Sequence, residues 1–354
     1  MQGRDQVPDK REDGAPPDQQ SARDDLRLLA TLIERRYGAE KAMLQPLPSE
    51  SGKRIYRVEH AHGPRWVLRV YETGSSSAAQ ALATTLLFLE DQAYPAERIV
   101  RSLDDHVLVT TDYGRQLLMT TFLEGTATDY SPATLRVLGA TLGRLHALQL
   151  TAAHPLARSL PLAEMRPANE LPWALEQLTS VAVHVPRRLQ SWYDKLTAAL
   201  RSIDLCEDLP RVLIHNDCHP DNTVHTSCRQ VLLLDWEGAG LGPAIIDVGF
   251  LLASCDTESP WTPPLPPDPA RVEAVIAGYG QHHRLASAEL DRLPDAIRFR
   301  ALVYGAVSFA NAIASKTQPA DNTEQAFASH WWWQRAQAAD EIADWARKQF
   351  ERAR

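Results

Sequence analysis

The segment Val212-Leu213-Ile214-His215-Asn216-Asp217-Cys218-His219-Pro220-Asp221-Asn222 constrains this chain more than any other stretch. An apolar run leads into a loop in which an aspartate and an asparagine stand five positions apart. A second apolar run, Val231-Leu232-Leu233-Leu234, then delivers Asp235. Both runs read as short buried strands, so the polar groups between them are presented at strand ends. Two carboxylates and a carboxamide are hard oxygen donors. Phosphoryl transfer from a nucleotide needs such a set: one group to orient the attacking hydroxyl and take its proton, the others to hold a divalent cation on the phosphates.

Size and charge narrow the alternatives. A chain of 354 residues can bury one large core or two lobes. Its formal net charge of -8 argues against a nucleic-acid footprint, and no basic run suggests an anionic membrane surface. The first residues, Met1-Gln2-Gly3-Arg4-Asp5-Gln6, lack the apolar core of a signal peptide. No window approaches the roughly 20 apolar residues of a membrane span. Cys206, Cys218, Cys228 and Cys255 form no C-x-x-C pair. The expectation is a cytoplasmic protein with no nucleic-acid or membrane partner.

Along the chain, residues 1–24 are polar and proline-rich and read as a disordered tail. Helical apolar spacing begins at Leu26 and ends near Tyr37-Gly38. Strand signals follow at 55–58, 66–71, 107–110 and 116–121, interrupted by a helix over 78–91. After Gly125 the pattern turns helical, with segments expected at 135–148, 171–182, 187–203, 270–283, 287–315 and 324–352. The proline cluster at 260–269 must be irregular, because successive prolines cannot donate backbone hydrogen bonds. The layout is a β-rich lobe over 25–122 and a larger helical lobe over 123–354.

The ordered motifs resemble the aminoglycoside phosphotransferase and choline-kinase-like family. They are Trp66-Val67-Leu68-Arg69-Val70, Thr121-Phe122-Leu123-Glu124-Gly125, Leu142-Gly143-Arg144-Leu145-His146, the His215–Asn222 loop, and Leu234-Asp235-Trp236-Glu237 with Asp247. The spacing H-x-D-x-x-x-x-N followed by an aspartate matches the kinase catalytic loop and its metal-binding aspartate. The resemblance implies an α+β, bilobal protein-kinase-like fold: an N-terminal antiparallel sheet lobe with one main helix, and a larger, mostly helical C-terminal lobe. It implies ATP as phosphoryl donor, Mg²⁺ as cofactor, and a hydroxyl of a small molecule as acceptor: an amino alcohol, sugar, aminoglycoside or related metabolite. By position, Asp217 corresponds to the catalytic base, and Asn222 and Asp235 to the magnesium ligands. Arg69 corresponds to the phosphate-binding cation. Thr121 and Leu123 fall in the linker whose backbone meets the adenine edge, and Ser51 and Gly52 in the phosphate-covering turn.

Three departures stand out. The phosphate turn has a single glycine, Gly52. Arg69 stands where protein kinases use lysine, and arginine can bind phosphate bidentately. No acidic residue occupies the expected place on the next helix to orient that cation; Gln80 or Leu82 falls nearest, and Glu90 is about two turns late. Two alternatives remain at this stage. One is a nucleotide-binding pseudokinase acting as a scaffold. The other is a Ser/Thr protein kinase, which the missing Ala-Pro-Glu segment and the short interval from Asp235 to Asp247 disfavour. Other polar residues of these motifs read as structural: His215 packing under its strand, His146 in the core, Asp247 holding the loop or capping a helix, and Cys218 filling space. Trp331, Trp332 and Trp333 cannot share one helix face, so at least one must be exposed or pack on another element.

Overall fold

The computed structural model describes residues 19–47, 54–61, 63, 65–151, 154–163, 166–204, 206–226, 230–256, 266–315, 327–328 and 330–352. The expected phosphate turn, with Ser51 and Gly52, lies outside them, as does most of the proline cluster. The described chain divides into two compact units, one running up to Tyr71 and resuming over Val100–Phe122, the other comprising Glu72–Ile99 and all residues after Phe122.

The first unit is a helix on a sheet. It contains α1 (Gln19–Tyr37), β1 (Met43–Pro46), β2 (Arg54–Glu59), β3 (Trp66–Tyr71), β4 (Leu108–Thr110) and β5 (Gln116–Thr121). The strands form one antiparallel sheet in the order β1-β2-β3-β5-β4. Alternation along the strands decides which face meets α1. Tyr56 and Val58, then Trp66, Leu68 and Val70, then Leu117 and Met119 pack with Leu29, Ile33 and Tyr37 of α1 in one core. Arg69, between two of these, therefore projects from the opposite face.

One carboxylate ties α1 to the sheet. Asp25 accepts from Arg115 Nη1 at 2.7 Å and pairs with Arg54. Burial pushes the Asp25 carboxyl up, but Arg115 and Arg54 together outweigh it and hold it below its ordinary value.

The second unit carries the remaining elements. They are α2 (Ser76–Asp91), β6 (Thr126–Ala127), α3 (Pro132–His146), α4 (Pro155–Ser159), α5 (Pro167–Val181), α6 (Gln190–Arg201), β7 (Arg211–Ile214), β8 (Thr223–His225), β9 (Val231–Leu233), β10 (Gly240–Pro243), α7 (Ala244–Ala253), α8 (Pro269–Tyr279), α9 (Ser287–Asp291), α10 (Leu293–Ala314) and α11 (Trp331–Arg352). Two small antiparallel sheets, β7 with β10 and β6-β8-β9, position the ends of the His215–Asn222 loop.

Helix α3 packs closely on α8 because of two glycines. A Cβ on Gly143 would sit 2.5 Å from the backbone oxygen of Tyr279, and one on Gly139 would strike that of Val275. Serine and proline start α3: Ser131 Oγ accepts from Thr134 N–H at 3.3 Å, and Pro132 occupies the first turn, where its missing N–H costs nothing.

Several boundaries differ from the sequence expectation. Helix α1 begins at Gln19, inside the stretch read as tail. Helix α2 groups with the helical unit, because Leu82, Leu86, Phe88 and Leu89 are buried and the helix packs on α4 and the turn Trp236–Gly238. His154, at the head of α4, contributes its Nε2 to Asp91 at 2.7 Å and sets its ring edge-on to Phe88. The helix expected over 287–315 breaks into α9 and α10, since Pro294 lies at the start of α10 and cannot continue an earlier helix. Trp332 and Trp333 are core residues. Trp332 lies over Gly305, and Trp333 meets Trp192 at 4.7 Å between ring centroids.

Asp25→Asn is expected to lower the melting temperature by a few degrees at pH 7, an effect of about 1 kcal/mol for a half-exposed charge network. A depressed carboxyl contributes stability above its unfolded pKa and loses it as pH falls through the lower folded value. Thermal melts of both proteins should therefore converge as pH drops below the ordinary Asp value of 3.8.

Candidate active site

Strand β7 ends at Ile214, and the loop that follows is fixed from beneath by one buried carboxylate. Asp247 is fully buried in the first turn of α7. Its Oδ2 accepts from His215 N–H at 2.7 Å and its Oδ1 from Asn216 N–H at 2.6 Å. Oδ2 also lies 3.1 Å from His146 Nε2, while His146 Nδ1 is 2.9 Å from the Tyr279 hydroxyl. Burial, with Glu289 and Asp247 adding to it, raises the Tyr279 phenol well above its ordinary value, so the hydroxyl stays protonated and donates to Nδ1. A proton on Nε2 then completes the chain to Asp247. His283 stands edge-on to both rings and is held neutral, pushed down to about 4 by burial and by His146.

His215 links the two motifs. Its Nε2 lies 2.7 Å from the Leu234 carbonyl and its Nδ1 accepts from Asp217 N–H at 3.3 Å, so both ring nitrogens serve the backbone. Trp236 packs against the ring at 4.7 Å. Leu234 N–H donates to the Asn222 carbonyl at 2.8 Å, a second tie between the loop and the strand that delivers Asp235.

The three polar residues read from the sequence as the site's centre are all here. Asn222 Nδ2 donates to the Asp217 carboxylate at 2.5 Å and to its carbonyl at 3.1 Å. These bonds fix the orientation of the carboxamide. Its Oδ1 is left with no donor among the described residues. Asp235 takes a left-handed backbone, φ 60° and ψ 62°, at the head of the Trp236–Gly238 turn. Its carboxylate is exposed and accepts no hydrogen bond among the described residues. Two hard oxygen donors without protein partners suit a magnesium ion, which keeps several waters and takes few protein ligands.

Two residues next to Asp217 are buried and electrically neutral. His219 Nε2 is 3.8 Å from Asp217 Oδ2, but burial lowers its pKa against the opposing pull of Asp217 and Asp221. Cys218 is fully buried, and burial, Asp247 and Asp217 together raise its thiol well above the ordinary value. It stays protonated, which excludes a nucleophilic thiolate here. Asp221 accepts from the Tyr130 hydroxyl at 3.1 Å, a link from the loop to the segment before α3.

The other expected site residues are described within their own units. Arg69 lies on β3, largely buried, and donates from Nη1 to Thr120 Oγ1 at 3.0 Å. Helix α2 has no carboxylate ahead of Glu90, as its sequence shows. Thr121 ends β5, paired with Trp66. Leu123, just beyond, keeps its backbone N–H and C=O without partners among the described residues.

The model of the phosphotransferase enzyme family, APH, matches residues 44–293, more than half of the chain. This chain belongs to that family. It is similar to the homoserine kinase of Pseudomonas aeruginosa, 24% identical over 252 residues, covering 71% of this chain and 74% of that protein. Among solved structures it is similar to the amicoumacin kinase hAmiN in complex with AMP-PNP, Ca²⁺ and Ami. That match has a TM-score of 0.63 and 18% identity, and covers 91% of this chain and 94% of the other. It is also similar to the spectinomycin phosphotransferase APH(9)-Ia in complex with ADP and spectinomycin, with a TM-score of 0.59, 14% identity, and 91% and 98% coverage. Within the family, this chain is a small-molecule phosphotransferase with the kinase-like α+β fold.

Sequence reasoning missed the residues that hold Asn216. This residue is non-glycine yet adopts φ 70°, a left-handed conformation that costs an L-residue about 1 kcal/mol. Arg300 of α10, 3% exposed, donates from Nη2 to the Asn216 carbonyl and, at 2.9 Å, to its Oδ1. Asn216 Nδ2 donates to the Gly238 carbonyl at 3.1 Å. Glu170 of α5 lies 3.7 Å from Arg300 Nη1. The available signal was a cation on the apolar stripe of α10, beside Ala296, Ile297 and Ala301, since lone arginines are almost never fully buried without partners.

Asp247→Ala would leave the His215 and Asn216 amides and His146 Nε2 unpaired in a buried site. At about 1–3 kcal/mol for each orphaned polar group, relieved in part by relaxation, the expected loss is about 3–5 kcal/mol. Denaturant unfolding at equilibrium measures it; a loss below about 1 kcal/mol would contradict this role for the carboxylate.

Proposed function

We propose that this enzyme moves the γ-phosphoryl group of ATP to a hydroxyl of a small molecule, with Asp217 as base and Asn222 and Asp235 as magnesium ligands. One observation carries the reading. The Asn222 carboxamide is bonded to Asp217 through nitrogen, its oxygen is left open, and its backbone is bonded to the strand that ends at Asp235. Base and metal ligands thus form one hydrogen-bonded unit. A scaffold that only bound nucleotide would not need that coupling.

In this reading the Asp217 carboxylate accepts a hydrogen bond from the acceptor hydroxyl and orients its oxygen toward the γ-phosphorus. The new O–P bond forms as the bond to the β-phosphate bridging oxygen breaks. The hydroxyl proton passes to Asp217, and ADP leaves with the bonding pair. A magnesium ion held by Asn222 and Asp235 would supply charge neutralisation to the phosphate oxygens. The loose transition state asks more of positioning and charge than of base strength. Arg69 would bind the non-reacting phosphates through its guanidinium fork. The backbone of Thr121 and Leu123 would take the adenine edge, and Ser51 and Gly52 would cover the phosphates.

The acceptor we favour is an amino alcohol, a hydroxy amino acid, a sugar or an aminoglycoside. Homoserine kinase and spectinomycin phosphotransferase, as relatives named for such molecules, support that range. Acceptor choice lives in the helical unit and does not follow from the fold.

Two variants separate the roles. Asp217→Ala should leave Mg·ATP affinity within about threefold and lower turnover by roughly 10²–10⁴-fold. Asp235→Ala should weaken Mg²⁺-dependent nucleotide binding itself. Calorimetric titration with Mg·ATP, together with ADP release, checks both. Normal turnover in both variants would refute the assignment.

A further inference from the structure

The clasp on Asn216 does more than satisfy a buried residue. Each of its polar atoms is bonded: N–H to Asp247, the carbonyl and Oδ1 to Arg300, and Nδ2 to Gly238. The Asn216 carbonyl and the Asp217 N–H belong to one peptide group, which is planar and rotates as a unit. Arg300 grips the carbonyl end of that plane. His215 Nδ1 grips the other end, accepting from the Asp217 N–H at 3.3 Å. Rotation of this plane is the motion that would swing the Asp217 Cα–Cβ bond away from a bound hydroxyl.

Arg300 is itself held on three sides. Glu170 Oε1 is 3.7 Å from Nη1, and the guanidinium carbon lies 5.2 Å from the Phe250 ring centroid and 5.5 Å from that of Phe299. Burial raises the Glu170 carboxyl, Arg300 pulls it down, and the charge of Asp217 pushes it up again.

We propose that Arg300 is a positioning residue for Asp217, acting through the Asn216–Asp217 peptide, with Glu170 as the counter-ion that aims it. The inference rests on the reading of Asp217 as the base. It assigns a role to a helix residue 84 positions from the loop, outside the matched family segment, which ends at residue 293. Lysine cannot replace arginine here, because a single ammonium lacks the fork that reaches carbonyl, Oδ1 and carboxylate together.

The test compares wild type with Arg300→Met, Arg300→Lys and Glu170→Gln by hydrogen exchange and steady-state kinetics. The substrates are Mg·ATP and a panel of L-homoserine, ethanolamine and aminoglycosides. Expected for both Arg300 variants are faster amide exchange in peptides spanning residues 213–223, unchanged exchange in α3 and α8, and a kcat loss of roughly 10–10²-fold. The dissociation constant for Mg·ATP should stay within about twofold, and Glu170→Gln should lose less, since its carboxamide oxygen still faces Arg300 at ion-pair distance.

Adding Arg300→Met to Asp217→Asn should cost little further activity, because a misplaced base and an absent base fail alike. A merely structural arginine would instead lower the double variant through its folded fraction. If Arg300→Met does not fold, Arg300→Lys and Glu170→Gln carry the same comparison. Wild-type kcat in the Arg300 variants, or additive losses with Asp217→Asn, would overturn the proposal and leave the phosphotransferase reading standing. No Mg²⁺-dependent ADP release by wild type across the panel would overturn that reading and the proposal with it, even if loop exchange still rose.

Discussion

The site depends on one carboxylate that never meets substrate in this account. Asp247, buried at the start of α7, gathers two consecutive backbone amides of the His215–Asn222 loop and the ring of His146. A loop cannot satisfy its own amides in a core, and an unpaired amide there is costly, so the carboxylate sets the loop's path. The support continues outward through His146 to Tyr279 on α8, and α8 can approach only because Gly139 and Gly143 leave α3 without side chains at the contact. Helix packing thus reaches the backbone of the His215–Asn222 loop through a continuous hydrogen-bonded path.

Above that foundation the charges are separated by role. His219 and Cys218 flank Asp217, yet burial keeps the one from gaining a proton and the other from losing one. Neither competes with the carboxylate for a proton near neutral pH. Asn222 touches Asp217 through nitrogen only, which leaves its carboxamide oxygen without a donor among the described residues. The same contact ties the position of Asp217 to that of Asn222, and in the proposed in-line transfer small displacements of the attacking oxygen would cost large factors in rate.

Much of this was legible in sequence because it is local. The motif that carries Asp217, Asn222 and Asp235 lies within 19 consecutive residues, and the strands β3 and β5 run over the very bounds their apolar runs mark, Trp66–Tyr71 and Gln116–Thr121. Strand β1 was missed because Met43–Pro46 is a mostly exposed edge strand, which gives no alternation to read. Helix α1 starts among polar residues at Gln19, where composition alone suggested a tail. The split of α9 from α10 needed Pro294 to be weighed as a helix start. The Asn216 clasp was illegible for another reason. Arg300 and Glu170 come from helices far along the chain, and only their convergence on one peptide gives them meaning.

The central claim is that a phosphoryl group reaches an acceptor hydroxyl at Asp217, and phosphorus NMR tests it most directly. Wild-type protein would be incubated with Mg·ATP and, in turn, L-homoserine, ethanolamine, amino sugars and aminoglycosides. A phosphomonoester resonance that grows with ADP for at least one acceptor, and is absent with Asp217→Asn, is the expected result. Inorganic phosphate as the sole product for every acceptor, or the same phosphomonoester at the same rate from the variant, would contradict it.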